Sequence, residues 1–301
     1  MDPLDDLTRR LDAVLPDQYQ ESREDVRPTP MGSAALKFDA SGRVAWNDIW
    51  ATFCDLAMAG GPPHKGTLLE PGDQAAIDAA FDRYDEVAEE IARGIRLVTG
   101  LRAYPSAAVG WVSVTCRVDS MADWLPRAIT MENVAARSSG CVLELPAAPH
   151  FRLEKEIKNV VTVMAKTCHY WAGHIPAERQ RAIGELFLAL RRQTPLVLPD
   201  YTRAPDARQR RLAAAAADAI GRATGLDRSD RQHPHWLGLE CVHAAAAIWM
   251  MQALVVSNVM ARREETTLFV PVNPAADPGA RRLIAAVSAV HALLPPLQVS
   301  R

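Results

Sequence analysis

The chain has 301 residues, 49% of them hydrophobic and 23% charged, with a formal net charge of −2, which is the balance of a globular protein with its own core and not of a disordered or fibrous chain. So small a net charge gives no global field for a polyanion, and nucleic acid is excluded as an expected partner. Arg203, Arg208, Arg210 and Arg211 do cluster, but Asp200 and Asp206 lie among them, so the run reads as a solvated helical face.

The N-terminal stretch MDPLDDLTRRLDAVL starts acidic and lacks a basic segment followed by an apolar one, so no secretory signal is expected. It reads as a short amphipathic helix over Leu4 to Leu15, followed by a polar arm rich in Gln, Glu and Pro to about Pro30. Alternation around Asp39-Ala40-Ser41-Gly42 predicts a hairpin. A helix from about Asn47 follows, carrying Trp46, Ile49, Trp50, Phe53 and Ala57, and Gly60-Gly61-Pro62-Pro63 ends it. From Asp73, Ile77, Phe81, Tyr84, Ala88, Ile91, Ile95 and Val98 keep helical spacing and predict one long helix.

The next segment is written twice. Residues 111–146 laid on 236–271 without a gap give eleven identities in 36 positions, where composition alone would give roughly two or three. Among the matches are Trp111/Trp236, Cys116/Cys241, Asn133/Asn258, Arg137/Arg262 and Pro146/Pro271. Each copy predicts a strand (Trp111 to Val118; Trp236 to Val242) and a helix (Ser120 to Glu132; Ala244 to Ser257). Two strands follow (Val134 to Arg137 and Cys141 to Leu145; Val259 to Arg262 and Thr266 to Val270), then a closing helix (Arg152 to Trp171; Gly279 to Leu294). Ser120 and Asp123 have capping-box spacing. Helices at Ala177 to Arg192 and Asp206 to Thr224 connect the copies.

The expected fold is therefore α+β, with internally duplicated β-α-β-β-α units related by a pseudo-twofold, an N-terminal hairpin and additional helices. The expected organisation is residues 1–30 as helix and arm, 31–105 as hairpin plus helical region, and 106–175 as first unit. Residues 176–230 then supply connecting helices and 231–301 the second unit.

The five cysteines, Cys54, Cys116, Cys141, Cys168 and Cys241, are odd in number and widely spaced, as expected for reduced thiols in a cytoplasmic protein. The longest apolar run, Ala244 to Val256, falls short of the ~20 residues of a bilayer span, so no membrane association is expected.

The paired Asn133/Arg137 and Asn258/Arg262 are candidate ligand-binding residues, since two guanidiniums brought together would cradle a carboxylate or phosphate. An Asn after a helix is also a common left-handed cap, and each Arg has a carboxylate such as Glu132 or Glu264 nearby. Gly60 to Pro71 adds His64 and Lys65 as possible anion holders, without the order of a P-loop. Lys166 to His174 offers Cys168, His169 and His174 as metal or nucleophile candidates, although adjacent helical residues point about 100° apart and Cys168 and His169 would not easily share an ion. Asn159, Thr162, Lys166 and His169 form a polar stripe there, with Glu156 close by as a candidate acid or base. His233 and His235 alternate like strand residues, with His243 following, and lack a third metal ligand.

These features point to a cytosolic binding or accessory protein that holds a small anionic molecule or a partner protein on a duplicated scaffold. The alternative is an enzyme acting on an anionic small molecule, with His169, Glu156 or Cys168 near the chemistry and His64, Lys65, Arg137 and Arg262 holding the substrate. No motif specifies a cofactor or metal, and a homo-oligomer is left open.

Overall fold

The computed structural model describes residues 2–15, 36–49 and 67–295. It divides into two compact units, here called central (Val26–Gly184) and flanking (Met1–Asp25 with Glu185–Arg301) for their place in the sequence. The fold is α+β, with one four-stranded antiparallel sheet in each unit. Among the described residues no helix is long and apolar enough to cross a membrane.

The chain starts in the flanking unit with α1 (Pro3–Val14), whose Asp2 cap accepts from the Leu4 backbone N–H and whose Leu7, Leu11 and Val14 are buried. In the central unit, Phe38 and Val44 pair across the expected hairpin turn, where the Asp39 carboxylate accepts from the backbone N–H groups of Ser41 and Arg43. The helix expected from Asn47 falls mostly outside the described residues, as do His64 and Lys65.

The central unit continues with α2 (Gln74–Ala79) and α3 (Phe81–Thr99), which ends at left-handed Gly100. Then come β1 (Arg102–Pro105), β2 (Trp111–Thr115), α4 (Asp119–Met131), β3 (Arg137–Ser139) and β4 (Val142–Pro146). The sheet order is β1-β2-β4-β3, with Trp111 opposite Pro146. A helix closes the unit in three pieces: a π turn at Leu153–Ile157, α5 (Lys158–His169) and a second π turn at Tyr170–His174. The boundary between units falls inside α6 (Ala177–Gln193).

The flanking unit runs through α7 (Ala207–Thr224), ending at left-handed Gly225, then β5 (Asp227–Arg228) and β6 (Trp236–Glu240). It ends with α8 (Ala244–Val255), β7 (Arg262–Glu264), β8 (Thr267–Pro271) and α9 (Arg281–Ala292). Its sheet order is β5-β6-β8-β7, with Trp236 opposite Pro271. Helix α8 is apolar almost all round and is buried along nearly its whole length.

After α4 and after α8 the backbone reverses through a left-handed asparagine, Asn133 at φ 60° and Asn258 at φ 64°. A short Asn side chain tolerates that region better than most. Each Asn carbonyl then accepts a backbone hydrogen bond from an incoming segment, from Leu69 at 2.9 Å and from Val197 at 3.0 Å. Asn258 also donates its amide to the Thr194 carbonyl at 2.7 Å.

Several expectations need correction. The unit is longer than β-α-β-β-α, because a helix and a further strand (α3 and β1; α7 and β5) precede each Trp-bearing strand. The long helix expected from Asp73 breaks at Ala80, at φ −146°, although apolar spacing continues across the break. Ser120 and Asp123 form no capping box, since α4 already begins at Asp119 and both lie inside it. His233 and His235 do not alternate along a strand. They form the turn before β6, with His235 at φ 64°.

Replacing Asn258 tests the left-handed reversal. Both Asn258→Gly and Asn258→Ala lose the Thr194 hydrogen bond, but only Ala meets the steric cost of positive φ. Urea unfolding is expected to show the Ala variant less stable than the Gly variant by about 1 kcal/mol, and equal or reversed stabilities would contradict this reading.

Candidate functional site

The paired arginines are engaged within their own sheets. Arg137 stacks on the Trp111 ring, 4.3 Å to the centroid, and its Nε donates to Glu144 at 2.7 Å. Arg262 has no solvent exposure and lies over the rings of Phe269 (4.1 Å) and Trp236 (5.1 Å), while its Nη1 donates to Glu264 at 2.7 Å. His233 Nε2 is also 3.0 Å from that Glu264 carboxylate. Burial alone would raise the Glu264 pKa, but the hydrogen bonds from His233 and Arg262 together hold it down to about 2.

The residues of the α5 region are divided among different surroundings. Glu156 is bound by Arg152 through side-chain and backbone hydrogen bonds, which overcome burial and lower its pKa to about 2. Burial pushes the Cys168 thiol well above its ordinary range. Neither group is suited to proton transfer or nucleophilic attack near neutral pH. Half of the expected polar stripe faces inward: Thr162 and Lys166 are buried, and Lys166 Nζ donates to the buried Glu132 at 3.0 Å, while Asn159 and His169 are partly exposed. His169 and His174 are brought together, with their Nε2 atoms 3.2 Å apart. Among the described residues no cluster of three or more His, Cys, Asp or Glu is placed to hold a metal ion.

The groups that best fit a ligand converge elsewhere, in a cavity of ≈420 Å³ inside the flanking unit, of a size suited to small molecules. Helix α7 contributes Gln209 and Arg210, strand β5 contributes Arg228, and the turn into β6 contributes Gln232, His235 and Trp236. Pro234, Leu237 and Val272 supply apolar wall, and no Asp or Glu lines the cavity.

The hydrogen-bond pattern fixes what these groups offer. Gln209 Nε2 donates to the Val272 carbonyl at 2.9 Å, which orients the amide, and also lies 3.2 Å from His235 Nδ1. An amide nitrogen only donates, so Nδ1 is the acceptor and the imidazole proton sits on Nε2. Burial disfavours the imidazolium and lowers the His235 pKa, although the Asp200 carboxylate acts in the opposite direction and Arg203 lowers it further. Trp236 is 94% buried (6% exposed), and its Nε1–H has no hydrogen-bond partner among the described residues. Arg210 and Arg228 stand exposed at the rim, in no ion pair among the described residues. The cavity thus presents mainly hydrogen-bond donors and positive charge beside apolar wall, the chemistry that receives an oxyanion on an organic body.

In the central unit the residues 125 positions earlier read differently. Gly110 stands where His235 does, also left-handed at φ 85°, and Tyr84 stands where Gln209 does, its hydroxyl accepting from the Gly110 N–H at 3.1 Å. A Cβ at Gly110 would lie 2.7 Å from the Gly72 carbonyl oxygen, so no side chain fits there. Arg210, Arg228, Gln232 and His233 correspond to Asp85, Ala103, Ala107 and Ala108. The cavity's polar set therefore belongs to one unit alone. Sequence reading missed it, although Thr99-Gly100-Leu101 recurring as Thr224-Gly225-Leu226 would have extended the offset upstream. Compared with family models, curated proteins and solved structures, the chain matches none of them.

A buried neutral imidazole makes stability depend on pH with a defined sign. The folded His235 pKa lies below its ordinary 6.5, so its contribution is full above about 6.5 and is lost as pH falls through that value toward the folded pKa. Denaturant unfolding between pH 7 and 5 is expected to show a shallower loss for His235→Gln than for the native chain. Parallel pH profiles would remove His235 as the cause.

Proposed function

We propose that the chain is a binding protein of accessory type, holding a small carboxylate- or phosphate-bearing molecule in the flanking-unit cavity beside His235 and Trp236. The observation that carries this reading is the convergence of Gln209, Arg210, Arg228 and the turn Gln232–Trp236 on one cavity whose lining holds no Asp or Glu. The guanidiniums of Arg210 and Arg228 at its rim favour a ligand whose oxygens are charged.

Holding, rather than converting, suits the groups present. His235 has its Nδ1 lone pair occupied and His233 donates to Glu264. The cavity lining carries no Ser, Thr, Cys, Lys, Asp or Glu, so no side-chain nucleophile stands there for either imidazole to activate.

We infer further that the two units descend from one duplicated α+β unit. Support comes from the common strand order and from the single offset of 125 residues. That offset relates Gly100 to Gly225, Gly110 to His235, Asn133 to Asn258 and the Trp–Pro cross-strand pairs. On this reading one copy keeps its turn closed by glycine and the other has opened it into a binding site.

Isothermal calorimetry on the full chain with inorganic phosphate, acetate and benzoate tests the proposal. At least one of these anions is expected to bind at a single saturable site. Arg210→Ala and Arg228→Ala should each weaken that binding about tenfold, the worth of one charge-assisted hydrogen bond. Binding of none of the three, or binding indifferent to both substitutions, would overturn the assignment.

A further inference from the structure

We infer that His169 and His174 form a two-imidazole chelate for an exchangeable transition-metal dication of the zinc or nickel type. The site lies in the central unit and is independent of the anion cavity. Its geometry comes from the way α5 ends: the chain widens into the π turn Tyr170–His174, so that residues five apart stand over one another where an α-helix would superpose residues four apart. His169 and His174 have that spacing. Their ring centroids are 5.0 Å apart and their Nε2 atoms 3.2 Å apart.

That separation suits a shared ion. With metal–nitrogen bonds of about 2.0–2.1 Å, two ligands of a tetrahedral ion lie roughly 3.3–3.4 Å apart, so the pair needs only a small adjustment. The turn is also held in place. Gln180 Nε2 donates to the Trp171 and Ile175 carbonyls, each at 2.8 Å, and the Ile175 N–H donates to the Tyr170 carbonyl at 3.1 Å. Such preorganisation lowers the entropic cost of chelation.

Both imidazoles are partly exposed, and His169 borders a cavity of ≈410 Å³ in the same unit. Water can therefore complete the coordination sphere, which makes the ion exchangeable, unlike one in a closed structural site with four protein ligands.

The competing account is a plain N–H···N hydrogen bond between two neutral rings, and metal titration separates the two. The full chain, stripped with chelator and placed in a non-coordinating buffer, is titrated with Ni2+ and Zn2+ and followed by calorimetry and thermal melting. One ion per chain is expected to bind at this pair. At about a hundredfold excess over Kd the melting temperature should rise by several degrees. His169→Gln and His174→Gln retain a hydrogen-bonding side chain but ligate poorly, and each should weaken this binding at least tenfold. His150→Ala, an exposed histidine elsewhere in the unit, should leave it unchanged. No binding of either ion up to millimolar concentration, or binding that survives both Gln substitutions, would overturn the inference. Because the test uses neither an anion nor a flanking-unit residue, its failure would leave the anion reading standing.

Discussion

One residue before each Trp-bearing strand the backbone enters the left-handed region, at Gly110 and at His235, and each sheet depends on that reversal. There the carbonyl of the reversed residue accepts from the residue just after the last strand of the pair, from Ala147 at 2.8 Å and from Val272 at 2.9 Å. These bonds continue the ladder that sets Trp111 against Pro146 and Trp236 against Pro271. Since a one-residue slip would turn every side chain of the strand to the other face, the reversal also decides which residues reach the core. Glycine meets the requirement without steric cost. Histidine meets it at a cost of roughly 1 kcal/mol or more, and the flanking unit accepts that cost at the position where an imidazole lines a cavity.

The arginines common to both units serve the sheets. Arg262 is fully buried, and such a charge persists only when its partner and its stacking surfaces are fixed. Glu264, Trp236 and Phe269 provide both, while the half-buried Arg137 stacks on Trp111 and pairs with Glu144 on the neighbouring strand. Removing one partner of a buried pair typically costs about 3–5 kcal/mol, which ties the Arg262 guanidinium to the fold and makes it a poor ligand for a mobile anion. Arg210 and Arg228, exposed and outside any ion pair among the described residues, have no such commitment.

Much of this architecture could be read from residue types alone, because Trp, Asn, Arg and Pro recur where the backbone or a buried charge restricts the choice. The helices were legible from apolar spacing, and Asn133 and Asn258 from the left-handed caps that such residues favour. Strands β1 and β5 were not, because four and two residues are too few to establish an alternating pattern. The inward course of Thr162 and Lys166 was hidden for another reason: a polar helix stripe looks the same whether it meets water or a buried carboxylate such as Glu132. The flanking-unit cavity was the least legible feature. Its donors come from α7, β5 and the turn before β6, and they converge only once that turn is known to be left-handed instead of extended.

The two inferred sites share a physical origin. Regular helix and strand fix side-chain directions by period, so the recurring elements leave few positions where donors can be re-aimed without disturbing the core. Departures from regular backbone supply that freedom. A left-handed residue turns His235 out of the strand alternation, and a π turn lets His174 reach His169 across five residues. Each departure is anchored by a glutamine whose amide donates to main-chain carbonyls, Gln209 to Val272 and Gln180 to Trp171 and Ile175. An irregular turn held by its neighbours carries directed polar groups without loosening the sheet or helix that bears it. Both inferred sites therefore sit at turns, while the recurring Trp, Arg and Asn positions belong to the scaffold.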